Sequence, residues 1–307
     1  MELVPAVGEA ATADCPDHVR ALLDTAPLVI SCEDESLWSI RGRLALPRQS
    51  AFIELLVYLG AARLQAPEPL DPWPGVAVDT LLDEVWTPRA RDPQNRESGQ
   101  TWLRKSLKRL HEELATAAGG LSGEIVVGGQ LLRLNPTTIA SDVEVFLTAL
   151  ARAKAARGAD RIAAAEEALA KRVSGLLLNV PRERVLVGRT IEIYRWLDLP
   201  HWERAAGRLE ALGREAAVQL GRAYRDGGRY DAAMVLYGQL LGEVPHDRRV
   251  QEGLLLAARG PGDCTQLSQV WQQVRAYLDG ETDIELHSMY ERLMSETRAV
   301  GAAVGGR

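Results

Sequence analysis

The segment "TWLRKSLKRLHEEL", residues 101–114, combines a helical apolar pattern with a cluster of basic side chains. Its leucines recur at spacings of four, three and four residues, which predicts one buried face of a helix. These leucines are Leu103, Leu107, Leu110 and Leu114, and the basic residues between them are Arg104, Lys105, Lys108 and Arg109. Two interpretations of the basic face stay open: the charges only keep it hydrated, or they contact an anionic partner such as nucleic acid.

The composition is that of an ordinary globular protein. With 307 residues, of which 46% are apolar, the chain is long enough for about two domains with buried cores. No apolar run is long enough to span a membrane, and the N-terminus lacks the pattern of a secretory signal, so we expect a cytoplasmic protein with no membrane partner. Three cysteines without paired spacing argue against disulfides and against a zinc site.

The formal net charge of the chain is −6, but the basic residues are unevenly distributed. Residues 87–111 contain seven basic and two acidic residues, whereas residues 25–141 as a whole contain twelve basic and fourteen acidic residues. Any basic surface that binds nucleic acid is therefore expected to be local.

Residues 28–136 show a characteristic order of predicted elements. "PLVIS" and "LWSIRGRLAL" are typical of short strands, "PRQSAFIELLVYLGAARL" of a helix that begins near Pro47, and "VAVDTLLDEVW" of a short helix capped by Asp79. A polar turn, "TPRARDPQNRE", precedes the basic helix, and "GEIVVGGQLLRLNP" follows it as a hairpin around Gly128 and Gly129. This order is the plan of a winged helix, whose third helix enters the DNA major groove while the hairpin contacts the backbone.

The second half of the chain, from residue 142, is rich in Ala, Leu, Arg and Glu with helical periodicity, and it contains an internal repeat. The spacing and residue types fit the tetratricopeptide pattern, in which small residues let paired helices approach and an aromatic side chain fills the gap. One copy is defined by Leu220, Gly221, Tyr224, Ala233, Tyr237 and Pro245. A degenerate copy, shifted by 34 residues, is defined by Leu254, Leu255, Ala258, Leu267 and Trp271.

These segments resemble a known family of regulators. "LALPRQSAFIELLVYLG", "VAVDTLLDEVW", "LRKSLKRLHEEL" and "IVVGGQLLRL" resemble the first helix, positioning helix, recognition helix and wing of OmpR/PhoB-type DNA-binding domains, in the version found in SARP-type activators. "DVEVF", "RLEALGREAAVQLGRAYRDGGRYDAAMVLYGQLL" and "YLDGETDIELHSMYERLM" resemble the bacterial transcriptional activator domain. Together the resemblance covers about residues 28–296.

The resemblance implies a mainly α protein, in which an α+β winged helix-turn-helix is followed by an all-α TPR-like repeat domain. The predicted organisation is a flexible acidic tail (1–24), a winged-helix DNA-binding domain (25–141), a bacterial transcriptional activator domain (142–300) and a flexible tail (301–307). Family resemblance also implies the partners: duplex DNA bound head to tail as a homodimer, and RNA polymerase. Two further roles stay open for the helical repeats, which are contact with another protein and binding of a small-molecule effector.

Catalysis has no support in the sequence. Phosphate-binding glycine loops, paired metal-binding histidines and a nucleophile elbow do not occur, so we predict no catalytic residue, no cofactor, no metal and no enzymatic activity. The tryptophans are predicted to be core residues rather than base-stacking ones. We assign Trp38, Trp86 and Trp102 to the core of the first domain, and Trp196, Trp202 and Trp271 to that of the second.

The candidate DNA contacts lie on the basic helix and the wing. They are Arg104, Lys105, Lys108 and Arg109, with short hydrogen bonds from Thr101 and Ser106 and a backbone contact from Arg133. Arg89, Arg91 and Arg96 lie before the basic helix, and three roles stay open for them: a phosphate contact, a polymerase contact implied by the resemblance, or simple hydration.

An alternative function belongs to a different class. The first domain is almost neutral, and Glu112 and Glu113 put negative charge at the far end of the basic helix. Because carboxylates repel phosphate, these features also fit a protein-interaction scaffold whose winged helix does not bind DNA.

Overall fold

The computed structural model describes residues 22–23, 26–44, 50–65, 73–85, 93–177, 180–186, 189–260, 262–278 and 284–305. The chain divides into two compact units, one formed by Met1–Thr148 with Lys171–Ala211 and the other by Ala149–Ala170 with Leu212–Arg307. This division differs from the predicted boundary between residues 141 and 142, because residues 171–211 belong to the first unit. Whether residues 25–141 and 142–300 fold as separate domains stays a prediction.

The first unit contains a four-stranded sheet in the order β3-β2-β1-β7. Its strands are β1 (Leu28–Ile30), β2 (Leu37–Ser39), β3 (Gly42–Leu44) and β7 (Ile139–Ser141). β1 pairs antiparallel with β2 and parallel with β7, which places the start of the winged-helix segment beside its end. "LWSIRGRLAL", predicted as one strand, instead forms the β2–β3 hairpin, in which Ser39 pairs with Gly42 across a two-residue turn.

Three helices follow in the predicted order: α1 (Ser50–Ala61), α2 (Val78–Val85) and α3 (Pro93–Ala117). A 3-10 turn, Ala62–Gln65, extends α1. Two predicted details are wrong. Asp79 is the second residue of α2 rather than its N-cap, and α3 begins at Pro93, so the second half of the predicted polar turn is helical. Proline suits the first turn of a helix, since its missing N–H would be unpaired there in any case.

The predicted wing hairpin is confirmed. β5 (Val126–Val127) and β6 (Leu131–Leu134) pair antiparallel, and β4 (Val76–Ala77) joins the other side of β6. The turn requires glycine at position 128, because Gly128 has a φ of 124° and a Cβ there would lie 1.9 Å from the carbonyl oxygen of Leu131.

Residues 171–211 contain structure that the sequence did not predict. β8 (Glu183–Leu186) and β9 (Arg189–Glu192) form an antiparallel pair, followed by a 3-10 turn at Arg195–Asp198 and by the start of α6 (Pro200–Asp226). Trp196 and Trp202 lie here, with ring centroids 5.1 and 5.0 Å from that of Tyr58 in α1. Their assignment to the core of the second domain was therefore wrong.

The described part of the second unit is helical. It comprises the later parts of α4 (Asp142–Ala155) and α6, together with α5 (Asp160–Ala170), α7 (Tyr230–Glu243), α8 (Arg248–Arg259), α9 (Cys264–Tyr277) and α10 (Ile284–Gly305). The predicted repeat positions occupy equivalent places in two helix pairs, α6–α7 and α8–α9: Tyr237 in α7 and Trp271 in α9 are both buried. The predicted fold class, mainly α with a winged helix before a helical region, is confirmed.

Tyr237 shows why the repeat needs small residues. A Cβ at Gly221 in α6 would lie 2.6 Å from the Tyr237 ring, and a Cβ at Gly253 in α8 would lie 2.4 Å from it. The ring therefore fills a space that exists only because both helices present glycine.

The predicted tails differ from the structure at both ends of the chain. Leu22, near the end of the predicted acidic tail, is buried and packs with Val29 and Trp38. Helix α10 extends to Gly305, so residues 301–305 are helical. Leu23, also in the predicted tail, is partly buried against the same cluster. The remaining residues of the two predicted tails lie outside the described residues, as do Trp86 and the side chain of Trp102.

Two glycines of α6 provide a matched test of this close approach. We expect Gly221→Ala to lower the free energy of unfolding by about 1–3 kcal/mol, because the added methyl group meets the buried Tyr237 ring. Gly207→Ala, on an exposed site with no heavy atom within 4 Å, should instead raise it by up to about 1 kcal/mol through helix propensity. Denaturant unfolding of both variants measures the difference, and similar effects in both would contradict this role of Tyr237.

Candidate nucleic-acid interface

Helix α3 has one buried and one exposed face. Leu103, Ser106, Leu110 and Leu114 are buried. The described exposed residues between positions 101 and 112, which we call the basic arc, are Thr101, Arg104, Lys105, Lys108, Arg109 and Glu112. They recur at spacings of three, one, three, one and three residues, so they lie on a single side of the helix. The expectation that the basic residues lie opposite the leucines is thus met.

Two residues of α3 depart from the predicted pattern. Leu107 is only half-buried, and Ser106 takes the fourth buried position with 7% of its surface exposed. A side chain so deeply buried is not accessible to a DNA strand beside the basic arc. Ser106 is therefore a buried residue of α3 and not a DNA contact in the proposed interface.

Two cations of the basic arc form ion pairs with glutamates one turn further along α3. Lys108 Nζ lies 3.9 Å from Glu112 Oε1, and Arg109 Nε lies 2.7 Å from Glu113 Oε1. Arg104 and Lys105 form no ion pair with any described residue. The arc therefore holds two cations that are partly neutralised within the helix and two that are not.

The wing lies beside the arc. Gly128, Gly129, Gln130 and Leu131 at its tip are exposed, and Arg133 in β6 is half-buried opposite Val127. The N–H of Val78, the first residue of α2, donates to the carbonyl of Gln130 at 3.0 Å, which connects the wing to the second helix.

An open groove of about 580 Å³ separates α3 from the wing. From the basic arc it is lined by Arg104 and Lys108, and from the wing by Val126, Gly129 and Gln130. Lys105, Arg109 and Arg133 do not line it. The structure therefore brings two of the predicted basic residues next to the wing and leaves the others outside the groove.

The arginines that precede the arc are only partly described. Arg89 and Arg91 lie outside the described residues. Arg96 was predicted to lie in the polar turn before the basic helix, but it lies in the first turns of α3. Its side chain lies outside the described part of the chain.

Sequence reasoning missed a hydrogen-bonding centre at the end of α2. Glu84 Oε2 accepts hydrogen bonds from Tyr58 Oη at 2.8 Å and from Trp202 Nε1 at 3.0 Å, and His201 Nε2 lies 3.2 Å away. Burial and the adjacent carboxylate raise the pKa of Tyr58. Glu84 is the penultimate residue of α2, so these contacts fix the end of the helix that precedes α3 in sequence. A lone glutamate in an amphipathic helix offers no sequence signal of this role.

Tyr194 forms a second connection within the first unit. Its backbone has a φ of 58°, which is unusual for a residue other than glycine. Its N–H donates to the buried Glu54 Oε1 at 2.8 Å, and its hydroxyl donates to Glu35 Oε2. These contacts hold the left-handed backbone against α1 and the β1–β2 turn.

The described part of the chain contains no group of three or more His, Cys, Asp or Glu side chains suited to a metal ion. None of its helices is both long and apolar enough to cross a membrane.

Comparison with solved structures supports the fold. The chain is similar to the structure of EmbR from Mycobacterium tuberculosis in complex with a low affinity phosphopeptide, with a TM-score of 0.56. The sequences are 16% identical, and the similarity covers 91% of this chain and 69% of that chain. No family model and no curated protein matches the sequence. At this level of identity the similarity establishes the fold alone.

Substitution of Glu84 tests its role in the first unit. We expect Glu84→Gln to lower the free energy of unfolding by about 1.5–3 kcal/mol, since two hydrogen bonds to a carboxylate become weaker or are lost. His201→Ala should cost less than about 1 kcal/mol, because the His201 side chain is 37% exposed and its contact with Glu84 competes with water. Denaturant unfolding followed by tryptophan fluorescence measures both. A smaller effect for Glu84→Gln than for His201→Ala would refute this assignment.

Proposed function

We propose that this protein is a DNA-binding transcriptional regulator that acts as an activator. In this proposal α3 lies in the major groove of promoter DNA and the wing contacts the backbone beside it. The observation that supports it most directly is the basic arc, an exposed row of Arg and Lys on the third helix of a winged-helix fold. Arg and Lys side chains reach both guanine edges and phosphates, and a helix fits the width of the major groove.

The resemblance of the sequence supports the same function, because it extends over about residues 28–296 and concerns SARP-type activators. The fold, which is similar to that of EmbR from Mycobacterium tuberculosis, is consistent with a regulator of this type.

Within the arc we assign base and phosphate contacts to Arg104, Lys105, Lys108 and Arg109, with a hydrogen bond from Thr101. Arg133 of the wing is assigned to the DNA backbone. In this proposal either phosphate or RNA polymerase is contacted by the arginines that precede the arc, Arg89, Arg91 and Arg96. The sequence of the target site follows from none of these assignments.

The helical region is assigned to association. Paired helices of the tetratricopeptide type bind a partner helix or peptide through their curved surface. We propose that this region mediates homodimerisation on head-to-tail DNA repeats, or contact with another protein.

One observation favours the scaffold alternative. The ion pairs to Glu112 and Glu113 reduce the positive charge that half of the arc presents to phosphate. In a scaffold, the arc would be a hydrated surface and α3 would have no partner DNA.

Salt dependence distinguishes the two functions. If the arc and wing neutralise several phosphates, the affinity of the full chain for duplex DNA should fall steeply with added salt, with a log–log slope of about −0.9 for each neutralised phosphate. Replacing a phosphate contact, for example Arg133→Ala, should weaken binding to all sequences and reduce that slope by about one. Titrations at several salt concentrations measure both. Arg292→Ala, an exposed arginine on α10, is the matched control and should change neither.

The same titration identifies the alternative. If the full chain binds neither a random duplex pool nor the promoters of its own host at low salt, the regulator proposal is wrong. The scaffold function then becomes the better explanation of the fold.

Head-to-tail association gives a separate prediction. Once a target sequence is selected, the full chain should bind a duplex with two direct repeats more tightly and more cooperatively than a duplex with one, because the second copy gains contacts to the first. Binding isotherms on both duplexes measure this. If the two sites fill independently, the helical region is not a dimerisation element, and another protein is its partner.

A further inference from the structure

Glu112 in the basic arc and Glu113 beside it hold their cations in different ways. Arg109 Nε donates to Glu113 Oε1 at 2.7 Å, whereas Lys108 Nζ and Glu112 Oε1 are 3.9 Å apart. The Glu113 side chain is only 21% exposed, compared with 62% for that of Glu112. One pair is therefore short and partly buried, while the other is long and solvated.

Burial restricts the Glu113 carboxylate. Its second oxygen, Oε2, is buried and has no hydrogen-bond partner among the described residues. Glu113 directly precedes the fully buried Leu114, so its stem lies at the edge of the buried face. A carboxylate that is already confined loses little further freedom when it binds an arginine, unlike an exposed one.

The geometry of the pair leaves the end of Arg109 available. The hydrogen bond uses Nε, and the Arg109 side chain is 62% exposed. Because the guanidinium is planar and rigid, fixing Nε also fixes the plane of the two terminal nitrogens. Two parallel N–H groups in a fixed plane match the O6 and N7 acceptors of guanine in the major groove.

We propose that Glu113 is a positioning residue that orients Arg109 for a bidentate contact with a guanine, so that the pair determines specificity at one base pair. This inference rests on the proposed function as a DNA-binding regulator. Glu112 does not position its partner: its 3.9 Å contact with Lys108 only lowers the positive charge of the arc. Two adjacent glutamates thus differ in what they contribute, one to specificity and the other to net charge.

The experiment compares charge-matched variants of the full chain. Sites are first selected by the wild-type protein from a duplex library with a randomised core. Affinities are then measured on the selected duplex and on duplexes with each base pair changed in turn. The variants are Glu113→Gln, Glu112→Gln, Arg109→Ala and the double variant Arg109→Ala/Glu113→Gln.

Positioning and simple charge removal predict different results. Glu112→Gln should bind every duplex more tightly and keep all base preferences, since it only removes a negative charge. Glu113→Gln should reduce discrimination at one base pair by about 5- to 150-fold, at the same position at which Arg109→Ala loses it. In the Arg109→Ala background, Glu113→Gln should change the preference no further.

Two conservative variants separate position from charge and from folding. Glu113→Asp keeps the charge but shortens the side chain, and Arg109→Lys keeps the charge but removes the planar fork. Both should lose discrimination at that base pair while thermal unfolding shows a native fold. If both variants retain discrimination at that base pair, or if Glu113→Gln behaves like Glu112→Gln, the positioning role is overturned. The proposed function as a DNA-binding regulator stands in that case. If the wild-type chain binds no duplex at low salt, both the role and the proposed function are overturned.

Discussion

The buried carboxylate of Asp142 connects the two ends of the winged-helix segment. It accepts hydrogen bonds from Ser31 Oγ at 2.8 Å, from Cys32 N at 3.0 Å and from the N–H of Val143 at 2.7 Å. Burial raises the pKa of Asp142, while these three donors oppose the rise. Ser31 and Cys32 follow β1 and Asp142 follows β7, so the carboxylate extends the parallel pairing of the two strands beyond Ile30 and Ser141. Two neighbouring side chains connect these strand ends to α1. Ser141 Oγ donates to the carbonyl of Gly60, and the Cys32 thiol donates to the carbonyl of Val57.

The position of the basic arc depends on this closed frame through a short series of contacts. α1 is fixed to the sheet at Gly60 and Val57, and its Tyr58 hydroxyl bonds to Glu84 at the end of α2. The start of α2 bonds to the wing at Gln130. Both ends of α2 are therefore fixed. The C-terminal end is fixed by the largely buried Glu84 carboxylate and the N-terminal end by the wing hairpin. These hydrogen bonds fix α2, the helix that precedes α3 in sequence, and none of them involves a residue of the basic arc, which is the usual way in which a rigid scaffold supports an interface.

Local patterns were predictable and non-local ones were not. The helix at residues 101–114, the wing glycines and the repeat around Tyr237 follow from periodicity and turn chemistry, which depend on neighbouring residues. The pairing of β7 with β1 joins residues more than a hundred positions apart, and three-residue strands have too little pattern to predict a partner. Trp196 and Trp202 were misassigned for the same reason: tryptophan predicts burial but not which core buries it. Within the arc, helical spacing predicted the exposed basic face correctly. It did not predict that Ser106 rather than Leu107 is buried, because that depends on the shape of the groove beside the wing.

The balance of charge on α3 favours specificity over general attraction to DNA. Non-specific affinity increases with the number of phosphates that a protein neutralises. Here Lys108 and Arg109 already have partners within the helix, and the net charge of the whole chain is −6. Long-range attraction to DNA is therefore weak in the proposed function, and useful affinity has to come from correctly placed base contacts and from a second copy bound beside the first. An arginine held in one orientation by a partly buried carboxylate contributes little to binding on a wrong sequence, because its fork then has no acceptors, and its full contribution appears only where a guanine is present. In this proposal the acidic residues of the helix are the source of its selectivity.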